Sequence, residues 1–213
     1  PEDHAVLEKK GFLLVDSGAT YMDGTTDITR TYPLGPLTED EKRFYTWTLQ
    51  SNIDLAKAVW LDYCECKMID TIAREPLWRH LINYRCGTGH SVSFVGNVHE
   101  GPHSLRGTNS VLMRPGMVVT DEPGVYETDL VGIRIENELV CVHKADNQYG
   151  TFLGFEPLMF VPIATSPILP GVLDKDEIAW LNDYHRQVFA KLAPHLNDEE
   201  RSWLAEKCAA IGC

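Results

Sequence analysis

Four acidic residues and one histidine lie inside or beside short apolar, strand-like segments, and this placement constrains the fold more than any other feature. They are Asp16, Asp27, His90, Glu122 and Glu136. Burying an isolated ionised carboxylate costs free energy, so such a residue must be exposed, paired with a cation or bound to a metal. Because several occur together, we expect ion pairing or metal binding.

The donor atoms of this set would be four carboxylates and an imidazole, with no thiolate. Such donors suit Mn²⁺, Co²⁺, Fe²⁺ or Zn²⁺ in a two-metal site, whereas the absence of cysteine ligands disfavours structural zinc. Two ions of this kind typically lie about 3.5–4 Å apart and activate a water, which indicates a hydrolase. Taken singly, each residue is more typical of a turn, a backbone cap or a core histidine.

Composition restricts the class of protein. With 213 residues, 44% of them hydrophobic, the chain can build one large domain or a domain with an appendage. Its formal net charge of -12 argues against nucleic-acid binding. Its apolar runs fall far below the roughly 18 residues that span a bilayer, so we expect no membrane partner. The six cysteines form no CxxC pair, and together with the absent signal pattern they favour a reducing, cytoplasmic setting.

Hydrophobic patterning predicts strands and helices that are segregated rather than strictly alternating, which is typical of an α+β fold. Residues 11–35 predict a strand pair. Thr38 and Glu41 form a capping-box pattern, and the helix that follows is expected to continue to Cys64. A second helix is predicted over Met68–Leu81, in which Pro76 marks a kink or a boundary.

The later segments predict further strands and then a helical tail. The segment GIRIENELVCVH is expected to pair with FEPLMFVPI. After Pro167 and Pro170, two amphipathic helices are predicted, the second capped by Asn197 or Asp198. This change of character divides the chain into a larger domain over residues 1–165 and a helical extension over 166–213.

Four segments resemble the motifs of the creatinase and aminopeptidase superfamily, whose fold is called pita-bread. That family's ligand order is Asp, Asp, His, Glu, Glu, with the first two eleven residues apart, as Asp16 and Asp27 are here. The segments are VDSGATYMDGTTDITRTYPLG, GTGHSVSFVGNVHEGP, TDEPGVY and GIRIENELV. The resemblance covers nearly the whole chain and implies a partial pita-bread catalytic domain over 1–165, lacking its N-terminal part, with a two-helix C-terminal extension over 166–213.

The resemblance implies a role for each of the five ligands. Asp16 would bind one metal, while His90 and Glu122 would bind the other. Asp27 and Glu136 would bridge the two. The cofactors would be two divalent ions, with Mn²⁺ as the first choice and Co²⁺, Zn²⁺ or Fe²⁺ as alternatives.

The resemblance also implies catalytic roles around the metals. His99 would line the substrate pocket and contact the peptide near its scissile bond, and Arg134 would lie beside the metal centre. Glu122 would carry the proton from the attacking water to the leaving nitrogen. Thr29 and Thr120 are candidate donors that orient ligating carboxylates, although either could be an ordinary strand threonine.

Within the superfamily, the motifs are similar to those of the cytosolic Xaa-Pro aminopeptidase branch. This similarity implies hydrolysis of the bond between an N-terminal residue and a following proline. Proline-containing peptides would be the substrates, and the chain could form a homodimer through its C-terminal region or pack that region on its own domain. The alternatives are a prolidase that cleaves only dipeptides and a non-catalytic pita-bread module.

The start of the chain departs from the family pattern. The family's catalytic domain normally begins well upstream of the first aspartate and includes a further histidine followed closely by a proline. Pro1 could be that proline, and His4, the only histidine before Asp16, suits a loop position better. We therefore expect residues 1–213 to be the second part of a longer polypeptide, with every metal ligand but reduced or no peptidase activity.

Overall fold

A long antiparallel hairpin carries both aspartates of the predicted metal set. The computed structural model describes residues 6–212, so Pro1 and His4 lie outside the described residues. Strand β1 (Phe12–Tyr21) pairs with strand β2 (Gly24–Pro33), and the predicted strand pair is confirmed.

Eight more strands follow the hairpin. In chain order they are β3 (Val59–Leu61), β4 (Gly89–Ser91), β5 (Glu100–Leu105), β6 (Val118–Asp121), β7 (Gly124–Glu127), β8 (Val131–Arg134), β9 (Asn137–Asn147) and β10 (Gly150–Pro157). Six of them form one sheet in the order β3, β10, β9, β6, β4, β5, and β7 pairs with β8. His90 lies in β4 and Glu136 lies in the short link between β8 and β9, so the sheet brings distant parts of the chain together.

Within the part of the chain that the structure describes, four α-helices accompany these strands, and the predicted α+β class is confirmed. They are α1 (Glu39–Ala56), α2 (Cys66–Trp78), α3 (Lys175–Leu192) and α4 (Asp198–Lys207). Thr38 and Glu41 form the predicted capping box, since the Thr38 amide donates to Glu41 Oε2 at 2.7 Å and the Glu41 amide donates to Thr38 Oγ1 at 3.2 Å. Asn197, one of the two predicted caps, is the N-cap of α4. Within residues 6–212, no helix has the length and apolar character needed to span a membrane.

The predicted ends of the first two helices are wrong. Helix α1 ends at Ala56 instead of Cys64, because the next apolar residues leave the helix to form β3. Trp60 pairs there with Leu153 and its ring lies 4.6 Å from that of Phe155, which buries the indole in the core. Helix α2 ends at Trp78, two residues after the proline within it.

The predicted strand pair of GIRIENELVCVH with FEPLMFVPI is only partly correct. The partner of β9 is β10, which contains just the first three residues of the second segment. Residues 158–163 follow without regular structure. The carbonyl groups of Val161 and Pro162 accept hydrogen bonds from the Arg30 side chain instead of from a neighbouring strand.

Three apolar clusters fill the interior of the described residues, the smallest around Leu77, Tyr84 and Val125. In the first, Ile69 of α2 packs with Leu139 of the sheet. In the second, Ile53 of α1 and Ile133 of β8 pack with Leu181 of α3. Helix α3 thus packs on its own domain, which is one of the two arrangements left open by the sequence. The boundary between residues 165 and 166 and the homodimer remain predictions.

Candidate metal centre

Three of the predicted ligands converge from three separate elements. Asp27, His90 and Glu136 each offer one ligand atom, and these atoms lie within 4.8 Å of one another. His90 Nε2 lies 3.4 Å from Asp27 Oδ2. Glu136 is almost completely buried, at 1% exposure. The carboxylates and the imidazole are therefore close enough together to share a cation.

Glu122 joins the group beside the histidine. Its Oε1 atom lies 3.1 Å from His90 Nε2. Thr120 connects the two residues, because its hydroxyl accepts a hydrogen bond from the His90 amide and donates to Glu122 Oε1, both at 3.0 Å. This placement matches the predicted role of Thr120 as a donor that orients a carboxylate.

Asp16 does not belong to the close group. Its side chain is 50% exposed, and its carboxylate is bound by the guanidinium of Arg134. Nε of Arg134 lies 3.7 Å from Glu122 Oε2 and donates to Thr29 Oγ1 at 3.0 Å. Arg134 thus contacts both Asp16 and Glu122.

Thr29 and His99 complete the predicted set. Thr29 Oγ1 donates to Glu136 Oε2 at 2.6 Å, so this threonine orients the buried carboxylate. The His99 ring lies across that of His90, with 3.9 Å between ring centroids and an interplanar angle of 68°. Because His99 is exposed, it is reachable from solvent at the edge of the group.

The electrostatics of the group favour the binding of a cation. Burial, reinforced by the charge of Glu122, raises the pKa of Glu136 to about 8. Burial lowers the pKa of His90, but hydrogen bonds to Asp27 and Glu122 outweigh it and raise that pKa to about 10. Glu136 Oε1 is buried and has no hydrogen-bond partner within residues 6–212. Crowded carboxylates, a neighbouring imidazole and an unpartnered buried oxygen fit a divalent cation.

Sequence reasoning missed two residues that support the group. The Tyr126 hydroxyl accepts a hydrogen bond from Arg134 Nη1 at 2.5 Å, and its position just after TDEPG was the available signal. Asn52, buried in α1, donates through Nδ2 to the carbonyl of Asp121 at 3.0 Å and to that of Ile135 at 3.3 Å. Asp121 and Ile135 immediately precede Glu122 and Glu136. The Asn52 side-chain amide therefore holds the backbone next to both glutamates.

Comparison with known proteins gives the family. Residues 1–143 match metallopeptidase family M24, and residues 151–211 match the C-terminal region of peptidase M24. Aminopeptidase P1 of Lotus japonicus is 41% identical, over 99% of this chain and 33% of its own length. Aminopeptidase P2 of Arabidopsis thaliana is 42% identical, over 96% of this chain and 30% of its own. The chain therefore spans about a third of the length of these curated relatives.

Solved structures agree with this assignment. An X-prolyl aminopeptidase from Caenorhabditis elegans, described as a cytosolic enzyme with a di-nuclear active site, superposes with a TM-score of 0.87 at 39% identity, over 93% of this chain and 33% of that one. Prolidase from Pyrococcus furiosus gives a TM-score of 0.59 at 28% identity, over 70% of this chain and 41% of that one. The predicted pita-bread fold is confirmed, and the chain belongs to metallopeptidase family M24, including its C-terminal region.

Proposed function

We propose that this chain carries the metal centre of an Xaa-Pro aminopeptidase, which hydrolyses the bond between an N-terminal residue and a following proline. The observation that carries the proposal is the convergence of Asp27, His90 and Glu136 from three separate elements, with Glu122 beside them. The aminopeptidase P relatives and the C. elegans X-prolyl aminopeptidase support this activity. The prolidase neighbours are more distant, which makes a dipeptide-only enzyme the second choice.

The proposed cofactors are two divalent ions, with Mn²⁺ preferred over Co²⁺, Zn²⁺ and Fe²⁺. Asp27 and Glu136 would hold both ions, Asp16 would hold one, and His90 with Glu122 would hold the other. When bound, such a pair supplies Lewis-acid activation of a water and of the scissile carbonyl. For Asp16 to take part, its carboxylate must share its charge between a metal and the guanidinium that binds it here.

The protein's own side chains would transfer the proton and stabilise the developing negative charge. Glu122 is the candidate for moving a proton from the attacking water to the leaving proline nitrogen. Its two oxygens have different neighbours, since Oε1 accepts from Thr120 and Oε2 faces Arg134 Nε. His99, whose ring lies against that of His90, is the candidate for donating a hydrogen bond to the oxygen of the scissile group as negative charge develops there.

Location and assembly belong to the same proposal. We place the protein in the cytoplasm, supported by the printed description of the C. elegans enzyme as cytosolic. A homodimer through residues 166–213 is proposed from the sequence resemblance. The non-catalytic alternative is less favoured because all five candidate ligand residues are present.

The decisive experiment compares three peptides with the Mn²⁺-loaded protein: Xaa-Pro-Yaa, the matched Xaa-Ala-Yaa, and the dipeptide Xaa-Pro. We expect release of the first residue from the proline tripeptide alone, and no release by the isosteric variant Glu136→Gln. Equal cleavage of the alanine peptide would contradict proline specificity. Cleavage of the dipeptide alone would favour the prolidase.

A further inference from the structure

A buried arginine lies directly behind the candidate metal centre. Arg30, in β2, is 3% exposed, and it has no carboxylate partner within residues 6–212. Its guanidinium instead donates to a set of oxygens. They are the carbonyls of Thr29, Glu136, Val161 and Pro162, the Asn137 side-chain Oδ1, and the Tyr184 hydroxyl. Because a buried charge must be hydrogen-bonded to be tolerated, these contacts hold the surrounding backbone in place.

Two of these carbonyls belong to the residues that define the position of the buried glutamate. Nη1 of Arg30 donates to the carbonyl of Thr29 at 3.0 Å and also to that of Glu136. The side chains of Thr29 and Glu136 are themselves joined by a hydrogen bond of 2.6 Å. One guanidinium nitrogen therefore fixes the backbone on both sides of the bond that orients the Glu136 carboxylate.

The C-terminal extension, residues 166–213, contacts Arg30 through the hydroxyl group of Tyr184. Tyr184 of α3 is 1% exposed, and its hydroxyl accepts from Arg30 Nη2 at 3.0 Å and from the Val161 amide at 3.2 Å. The same hydroxyl lies 3.0 Å from Asn137 Oδ1, which also accepts from Arg30. The tyrosine ring is held by stacking on Trp180, with 5.4 Å between centroids.

We propose that Arg30 and Tyr184 are positioning residues of the metal centre, and that the C-terminal extension serves to hold the Glu136 carboxylate where it binds the cations. The inference rests on the proposed function, in which Glu136 is a bridging ligand. Groups that hold a metal ligand from behind typically contribute 10- to 100-fold to metal affinity, so a loss of about tenfold is expected when the Tyr184 hydroxyl is removed.

The test variant is Tyr184→Phe, which keeps the ring and its stacking. The matched control is Tyr45→Phe. Tyr45 is also 1% exposed and its hydroxyl donates to the Ala164 carbonyl at 2.7 Å, so the control removes an equally buried hydroxyl just after the 158–163 segment without removing a hydrogen bond of Arg30. Calorimetric titration with Mn²⁺ gives affinity and stoichiometry, electron paramagnetic resonance reports the coupling between bound ions, and thermal unfolding of the metal-free proteins measures general stability.

We expect Tyr184→Phe to bind Mn²⁺ about tenfold more weakly and with altered coupling, and Tyr45→Phe to stay within about twofold of the unmodified protein. Binding by Tyr184→Phe that equals the unmodified protein would overturn the inference while leaving the proposed function intact. Equal weakening in both variants would also overturn it, since it would reveal general loosening. If the unmodified protein binds no Mn²⁺, the proposed function itself fails, and the inference falls with it.

Discussion

The histidine of α3 that faces the interior should make the protein sensitive to mild acid. His185 is 0% exposed, and its Nε2 accepts a hydrogen bond from the Ile163 amide at 3.1 Å. Burial, together with the nearby charge of Arg30, lowers the pKa of His185 from 6.5 to about 4. The folded protein therefore holds this imidazole neutral under conditions in which an exposed histidine is protonated.

The sign and size of the effect follow from these pKa values. As the pH falls from about 6.5 to about 4, His185 is protonated in the unfolded chain but stays neutral in the folded protein. The free energy of unfolding therefore decreases over this range. A difference of about 2.5 between the pKa values corresponds to a total of about 3 kcal/mol. About 2 kcal/mol of this total is lost between pH 7 and pH 5.

The test replaces His185 by Gln, which does not titrate and still offers an acceptor to the Ile163 amide. Urea unfolding at pH 7 and pH 5 should show that the variant loses about 2 kcal/mol less than the unmodified protein over this interval. Leu181→Ala, a core substitution in the same helix, should cost about 2–5 kcal/mol equally at both pH values. Equal losses for the unmodified protein and His185→Gln would refute the claim that the fold holds this histidine neutral.

Further predictions concern the metal centre. Asp27→Ala or Glu136→Ala should abolish tight metal binding and turnover, because the cations lose a bridging counter-charge; elemental analysis that finds unchanged metal content would contradict this. His99→Ala should retain the metals and lower kcat about 100-fold, and steady-state kinetics with an unchanged kcat would exclude His99 from the mechanism. Asn52→Leu should weaken Mn²⁺ binding about tenfold in calorimetry by freeing both glutamate segments, whereas Gln50→Leu, on the same helix but bonded to the first turn of α3, should not.

Features that depend on neighbouring residues were predictable from the sequence. The hairpin follows from alternating strand residues around a turn, and the start of α1 follows from a capping box whose two residues lie three positions apart. The end of α1 depends instead on where Trp60 is buried. Its pairing with Leu153 joins residues far apart in the chain, and helical periodicity carries no information about it.

The candidate site divides in the same way. The five candidate ligands could be predicted because their types, order and spacing resemble a family pattern. The supporting contacts could not be predicted, because Arg30 and Tyr184 lie 154 positions apart in the chain. Neither residue lies in a pattern that indicates a buried hydrogen bond. The pairing of Asp16 with Arg134 is likewise a tertiary contact, between residues 118 positions apart in the chain, and no local pattern indicates it.

The five candidate ligands are proposed to bind a pair of cations. Counting the Mn²⁺ ions bound to the protein, and measuring the coupling between them, tests this most directly. Titration followed by electron paramagnetic resonance should give two ions per chain whose signals are exchange-coupled, as expected for ions about 3.5–4 Å apart. A plateau at one ion or none, or two ions with independent signals, would contradict the claim.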